Sequence, residues 1–373
     1  MLQQDEVISR LKNVGNRDVG GASGGEAGTA VNMVGLQEVQ NIIRTMRQFV
    51  DEVYVPDTLA IAGFYKEWAA LGEGLGNFMT YGEFPAKSMR DTDSLMIPRG
   101  VILGRDLASI RPLDLHADGE IKEYVAHSWY DYSVGKDQGL HPYKGETTLH
   151  YSGPKPPYRN LDTDASYSWL KSPRWNGHAM EVGPLARVLM LYASGHKQTR
   201  ELVGMALGKL NVPLPALYST LGRTAARTLE TKLIADAMQG WYDELIANIK
   251  RGDVRTFNEK LWDPSSWPKT AKGAGFTEAP RGALGHWVVI ENGLIANYQA
   301  VVPSTWNAGP RDANGQDGAY EAALKGTRLH DAKQPIEILR TIHSFDPCIA
   351  CAVHVVDPNG EELIRVKVGV RPG

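Results

Sequence analysis

The chain has 373 residues, 42% hydrophobic and 22% charged, a globular balance that excludes disordered or collagen-like polymers. Lys and Arg total 40 against 43 Asp and Glu, a net charge of −3 that argues against a general grip on nucleic acid or an anionic membrane. No run of about 18 apolar residues occurs, and Met1 to Asn16 lacks the apolar core of a secretory signal.

The first 35 residues read as a flexible leader, with Gly15, Gly20, Gly21, Gly24, Gly25 and Gly28 crowded around Ala22, Ser23 and Thr29. A phosphate loop is the rival reading, and it fails because no Gly-Lys-Ser/Thr follows and no apolar strand precedes. From Leu36, the positions Val39, Ile42, Ile43, Met46, Phe49, Val50 and Val53 predict an amphipathic helix. Asp57, after Pro56, reads as the cap of a second helix through Ile61, Phe64, Tyr65 and Trp68.

Residues 72–169 are rich in Gly, Pro and aromatics, with short runs such as Val101-Ile102-Leu103, and predict short strands and turns. Pro184 suits the first turn of a helix striped by Leu185, Val188, Leu189 and Tyr192. Pro215 begins the longest helical pattern, which runs to Ile249 and stops at Lys250-Arg251-Gly252. Two hairpins are predicted: His286–Ile290 with Leu294–Val302 around Asn292-Gly293, and Val353–Val356 with Leu363–Val368 around Asp357-Pro358-Asn359-Gly360. Between them, Pro335 starts a short helix through Ile336, Leu339 and Ile342. The fold class is α+β, mainly α: a long-helix bundle with peripheral β hairpins.

The sequence has two cysteines, Cys348 and Cys351, too close together to staple a fold of this size. Their spacing suits a redox pair or half of a metal site, with His354 as a further ligand. A zinc ribbon needs more ligands than are present. Haem attachment wants the histidine directly after the second cysteine. A thioredoxin-like pair sits at a helix start, whereas this pair follows a helix. Half of a thiolate site remains. His127, His178, His286 and His343, with Trp129, Trp169 and Trp175, read as packing residues.

The segment Ser344-Phe345-Asp346-Pro347-Cys348-Ile349-Ala350-Cys351-Ala352-Val353-His354 resembles the C-terminal signature of nickel–iron hydrogenase large subunits. Gly275 to Trp287, containing Glu278-Ala279-Pro280-Arg281-Gly282, is similar to the arginine-bearing segment of that family. Val301-Val302-Pro303-Ser304-Thr305-Trp306-Asn307 and Met180-Glu181-Val182-Gly183-Pro184-Leu185-Ala186-Arg187 are similar to further blocks. The resemblance runs from about Phe49 to His354, and is nearest to the respiratory uptake class.

That resemblance implies oxidation of H2 to protons and electrons, with electrons leaving through an iron–sulfur small subunit. It implies a nickel–iron centre whose iron carries cyanide and carbon monoxide, held by four thiolates. Cys348 would be a terminal nickel ligand and Cys351 a nickel–iron bridge. Thiolates are soft, strong donors that suit redox-active nickel. Arg281 would lie over the open metal site, paired with Asp346. Pro303 and Ser304 would contact an iron cyanide, the Ser304 N–H donating. His354 and the Ala300 carbonyl would bind a structural magnesium. A maturation endopeptidase would cut after His354, removing 355–373 and leaving 36–354 as the hydrogenase domain. Membrane contact would come only through partner subunits, giving a periplasmic or membrane-associated location.

The sequence also departs from the family pattern. The N-terminal CxxC that supplies the other two thiolates is not present in it, nor are a proton-relaying glutamate and the magnesium carboxylate. The expectation is a C-terminal portion of a large subunit. The alternative is a non-catalytic fragment that binds a partner or maturation factor without the metals.

Overall fold

The structure, a computed structural model, describes residues 33–88, 91–155, 161–253 and 263–348, with the backbone of strands 352–356 and 362–367. The leader through residue 32 lies outside them. Two compact units divide the chain: 1–58 with 231–267, and 59–230 with 268–373.

Helix α1 (Met33–Phe49) passes through a five-residue π-helical turn, Val50–Tyr54, into α2 (Val55–Gly63). The expected break with a cap at Asp57 is therefore corrected. Pro56 has no N–H and its ring crowds the carbonyl one turn back, and the wider turn accommodates both effects without ending the helix. Asp57 lies in the first turn of α2 instead. Leu36, Ile43 and Val50 are buried, while Met46, Phe49 and Val53 are exposed, so the apolar face packs along one edge only.

Short strands follow, as the Gly- and Pro-rich composition predicts. They are β1 (Phe78–Thr80), β2 (Glu83–Pro85), β3 (Leu95–Ile97), β4 (Gly100–Ile102), β5 (Ile121–Tyr124), β6 (Tyr130–Asp131), β7 (Thr148–Leu149) and β8 (Ser172–Trp175). All pair antiparallel, as β1–β4, β2–β3, β5–β8 and β6–β7. Helix α3 (Pro184–Ala193) has Pro184 in its first turn and is buried over seven further residues. Helix α4 (Lys197–Leu210) is not among the predicted elements, although its buried residues Val203, Ala206 and Leu210 recur at helical spacing.

The longest helix, α5 (Thr220–Lys250), is preceded by a 3₁₀ turn at Leu214–Tyr218, so the predicted start at Pro215 is a separate short turn. Gly252, with φ +78°, follows its end in the left-handed region. Its last two-thirds belong to the first unit, where Lys232 bridges Asp51 at 2.7 Å and Asp236 at 2.6 Å.

In the second unit, β9 (Ala271–Ala279), β10 (Gly282–Glu291) and β11 (Leu294–Val301) form a sheet of order β11-β10-β9. Asn292 and Gly293, at φ +53° and +77°, make the predicted turn between β10 and β11. Then come α6 (Pro303–Ala308), α7 (Ala319–Leu324), α8 (Ile336–Ser344) and the hairpin β12 (Ala352–Val356) with β13 (Glu362–Lys367). The described chain is helix-rich with small antiparallel sheets, as expected. The main core of this unit joins Met79, Tyr81, Ile121, Trp175, Met180, Val182, Trp287, Val301 and Trp306.

Glu123 on β5 is 2% exposed, and its carboxylate sits 3.9 Å from Lys171 Nζ. Lys171 donates instead to the Glu146 carbonyl at 2.6 Å and to Gln299 at 2.9 Å. Burial, only partly opposed by Lys171, pushes the Glu123 carboxyl up to about 7. A carboxyl raised on folding contributes stability below its ordinary value near 4.5 and loses it as pH rises through 7. Glu123→Gln, which fixes the neutral form, should match wild type near pH 5 and exceed it near pH 8 by roughly 2–3 kcal/mol in urea unfolding. An equal difference at both pH values would show that Glu123 is charged in the fold.

Candidate metal centre

The four sequence blocks that carry the resemblance meet in the second unit. Pro280-Arg281 is the two-residue turn between β9 and β10, with Ala279 opposite Gly282 in register. That turn presses on the start of α3. A Cβ at Gly183 (φ +120°) would lie 2.8 Å from the Arg281 carbonyl oxygen, and one at Gly282 (φ +132°) only 2.6 Å from the Gly183 nitrogen. Only glycine suits either position. Asn307 on α6 locks the neighbouring residue, accepting from the Val182 N–H at 3.0 Å and donating to its carbonyl at 2.9 Å.

Arg187, on α3, holds the turn from beneath. Its Nη1 donates to Glu278 at 2.8 Å and to the Ala279 carbonyl at 2.9 Å. Its Nη2 donates to Glu230 and to the Pro280 carbonyl, both at 2.8 Å, and its Nε to the second Glu230 oxygen. Glu278 also accepts from the Tyr81 N–H at 2.6 Å. Burial works against the Arg187 charge, but Glu230 and Glu278 outweigh it and raise its affinity for the proton. Burial pushes the Glu278 carboxyl up to about 7, with Arg187 pulling the other way.

With its backbone so fixed, Arg281 directs its side chain toward Asp346, Nη2 to Oδ1 3.5 Å. Both side chains are more than a third exposed, at 37% and 38%. Exposed pairs contribute about 0–1 kcal/mol, so the scaffold must hold this geometry. Arg281 Nε is buried without a hydrogen-bond partner among the described residues. Asp346 follows the end of α8 in the left-handed region, φ +57°, which turns the chain toward Cys348. The Cys348 N–H donates to Ser304 Oγ at 3.1 Å, and the Cys348 side chain is exposed. Pro303 and Ser304 are buried in the first turn of α6, where backbone N–H groups have no acceptor within the helix. Tyr320 on α7 completes the surroundings. Burial, reinforced by Asp346, holds its hydroxyl protonated well above the usual phenol range.

The structure thus brings together Arg281, Asp346, Cys348 and Ser304. Ala300 lies in β11 opposite His286, and His354 lies in β12 opposite Arg365. Cys351 and the His354 side chain lie outside the described residues. Among the described residues, no three His, Cys, Asp or Glu side chains converge as a complete metal site. The donor set fits half of a thiolate centre: Cys348 is exposed, two residues after the Asp346 that pairs with Arg281, and the buried Arg281 Nε has no acceptor among the described residues. The packing histidines and tryptophans have ordinary roles. His127 Nδ1 meets the Arg311 carbonyl at 2.8 Å, and Trp175 donates to Glu120 at 2.8 Å. Sequence reasoning missed Arg187, Glu278 and Glu230 as site-shaping residues. The available signal was a single charge, Arg187, in an otherwise uncharged helix, Pro184–Ala193.

The family model for nickel-dependent hydrogenase matches residues 13–354, and the chain belongs to that family. It is 49% identical over 349 residues to the uptake hydrogenase large subunit of Rhizobium leguminosarum bv. viciae, covering 91% of this chain and 58% of that protein. It is 45% identical over 363 residues to the hydrogenase-1 large chain of Escherichia coli (strain K12), covering 95% and 60%. Among solved structures, it is similar to the reduced, active form of the Ni-Fe-Se hydrogenase from Desulfomicrobium baculatum. That match has TM-score 0.67 and 31% identity over 84% of this chain and 59% of the other. The chain therefore spans about three-fifths of the relatives it matches.

Arg187→Met should strand two buried carboxylates and destabilise the chain by about 3–5 kcal/mol. Urea unfolding measures this, and a loss under about 1 kcal/mol would mean that the turn holds itself.

Proposed function

We propose that the chain supplies the C-terminal half of the active site in a large subunit that oxidises H2. The observation that carries this reading is Arg281 at a rigid hairpin tip, 3.5 Å from Asp346 and with a buried Nε that has no partner among the described residues. Cys348 and Cys351 would hold the nickel–iron centre through their thiolates. Ser304 and Pro303, with Arg281, would surround the cyanide and carbon monoxide ligands of the iron, giving acceptors to the Arg281 Nε and the Ser304 amide. His354 and the Ala300 carbonyl would hold magnesium. When bound, the nickel–iron centre supplies the polarisation that splits H2.

The residues of the chain then handle protons and orientation. Cys348 Sγ, exposed and at the terminal position, takes a proton. The Arg281 guanidinium pairs with Asp346 at 3.5 Å and faces the same space. Electrons would pass to an iron–sulfur small subunit, through which the enzyme meets the membrane; no described helix is long and apolar enough to cross one. The sequence holds two cysteines, so a four-thiolate centre draws two ligands from elsewhere in the assembled large subunit. A maturation endopeptidase would release residues 355–373. Support comes from the family match ending at His354 and from the β12–β13 pairing that ties His354 into a ladder.

Metal analysis tests the reading. The purified chain alone should hold no stoichiometric nickel and iron. Co-produced with the remaining large-subunit segment of a relative and a small subunit, it should hold both, and mass spectrometry should find it ending at His354. Absence of nickel from that assembly would favour a non-catalytic fragment. Within the loaded assembly, Arg281→Lys should keep the metals and lose on the order of 10²–10³ in H2 oxidation, because a flexible ammonium is no substitute for a fixed planar fork. Wild-type turnover in that variant would make Arg281 scaffolding.

A further inference from the structure

Both sides of the Arg281–Asp346 contact trace back to one face of one helix. Arg223, Arg227 and Glu230 on α5 lie at i, i+4 and i+7, a spacing that places them on the same face within about 10 Å. Arg223 donates to both Glu181 oxygens, at 2.7 and 2.9 Å, and to the Gly72 carbonyl at 2.6 Å. These bonds fix its guanidinium as a flat plate, and the ring of Phe345 lies over it at 3.9 Å. Phe345 is 4% exposed and immediately precedes Asp346. One turn further along α5, Arg227 donates to the Ser344 carbonyl at 3.0 Å. The two residues leading into Asp346 are thus held by consecutive turns of α5. At the other end of the face, Glu230 grips Arg187, which holds the carbonyls of Ala279 and Pro280 just before Arg281.

We propose that this face of α5 is the ruler that sets the separation of Arg281 and Asp346, with Arg223 and Glu230 as positioning residues for the site. The proposal rests on the hydrogenase reading for its catalytic consequence, but not for its geometry. A pair more than a third exposed does not impose its own distance, whereas its two backbones are tied to buried side chains on a single rigid helix. The Arg223 end works through shape as well as charge. A lysine would keep the charge opposite Glu181 but lose the plate on which Phe345 rests.

Arg223→Lys and Phe345→Leu test this. Phe345→Leu leaves the Arg223–Glu181 pair intact, so it remains informative where the lysine variant folds poorly. Crystal structures of the two variant chains should show Arg281 and Asp346 separated beyond about 4 Å, the limit of an ion pair. In the assembled enzyme, both variants should load nickel, lose at least tenfold in H2 oxidation and shift the infrared bands of the diatomic ligands on iron. A purely stabilising role would lower the melting temperature and leave those bands in place. An unchanged 3.5 Å separation in both variants overturns the ruler, as do wild-type turnover and unmoved bands in nickel-loaded enzyme. If the wild-type assembly takes up no nickel, the hydrogenase reading falls, and the separation in the variant structures still decides the ruler.

Discussion

The site depends on one buried guanidinium. Arg187 is surrounded by Glu230, Glu278 and two backbone carbonyls, and it is 2% exposed. A lone charge at that depth would be expelled or neutralised. Here each N–H that faces a partner has one, and the arrangement is held as a unit. Relative to an apolar core, a buried ion pair stabilises in some folds and destabilises in others. Its geometric effect does not vary in that way, since a planar fork with fixed partners allows one orientation. The hairpin tip that carries Arg281 inherits that orientation. The comparison of magnitudes is decisive: about 0–1 kcal/mol for the exposed Arg281–Asp346 pair against several for breaking the buried cluster.

Close backbone contact sets the remaining tolerance. Gly183 and Gly282 face each other, both with positive φ, and neither has room for a methyl group. The Arg281 carbonyl therefore cannot move toward α3, and Asn307 prevents α3 from retreating by holding both polar groups of Val182. Interiors at this packing density transmit displacement instead of absorbing it. A shift in α6, which carries Ser304 and so touches Cys348, would reach the hairpin tip through Val182 and Gly183.

Much of this fold is legible in the sequence where one residue type determines local geometry. Pro184 opens α3, Asn292-Gly293 makes its turn, Gly252 follows α5, and Pro335 precedes α8, each because of backbone constraints acting at that residue. Legibility fails where the cause is distant. Strand β9, Ala271–Ala279, contains four glycines or alanines before Phe276 and shows no clear alternation, so its pairing with β10 comes from the partner strand. Pro56 signalled a break, yet tertiary packing carried the helix through it in a π turn. For the site, the linear motif around Cys348 and the block around Arg281 are readable because their residues are adjacent in sequence. Their 3.5 Å contact is not, since Arg281 and Asp346 stand 65 positions apart along the chain.

The geometry also suggests why the thiolate motif follows a helix end and not a helix start. A cysteine in the first turn of a helix would have its thiolate stabilised by the helix dipole and by free N–H groups. Cys348 instead comes after α8, beyond the left-handed residue Asp346, and its own N–H is taken by Ser304 Oγ. Arg281 brings its guanidinium to Asp346, two residues before that cysteine. The hydroxyl of Ser304 fixes the backbone of Cys348 by accepting from its N–H. The positive groups and the sulfur are thus held by different elements, α3 and the β9–β10 tip on one side and α6 and α8 on the other.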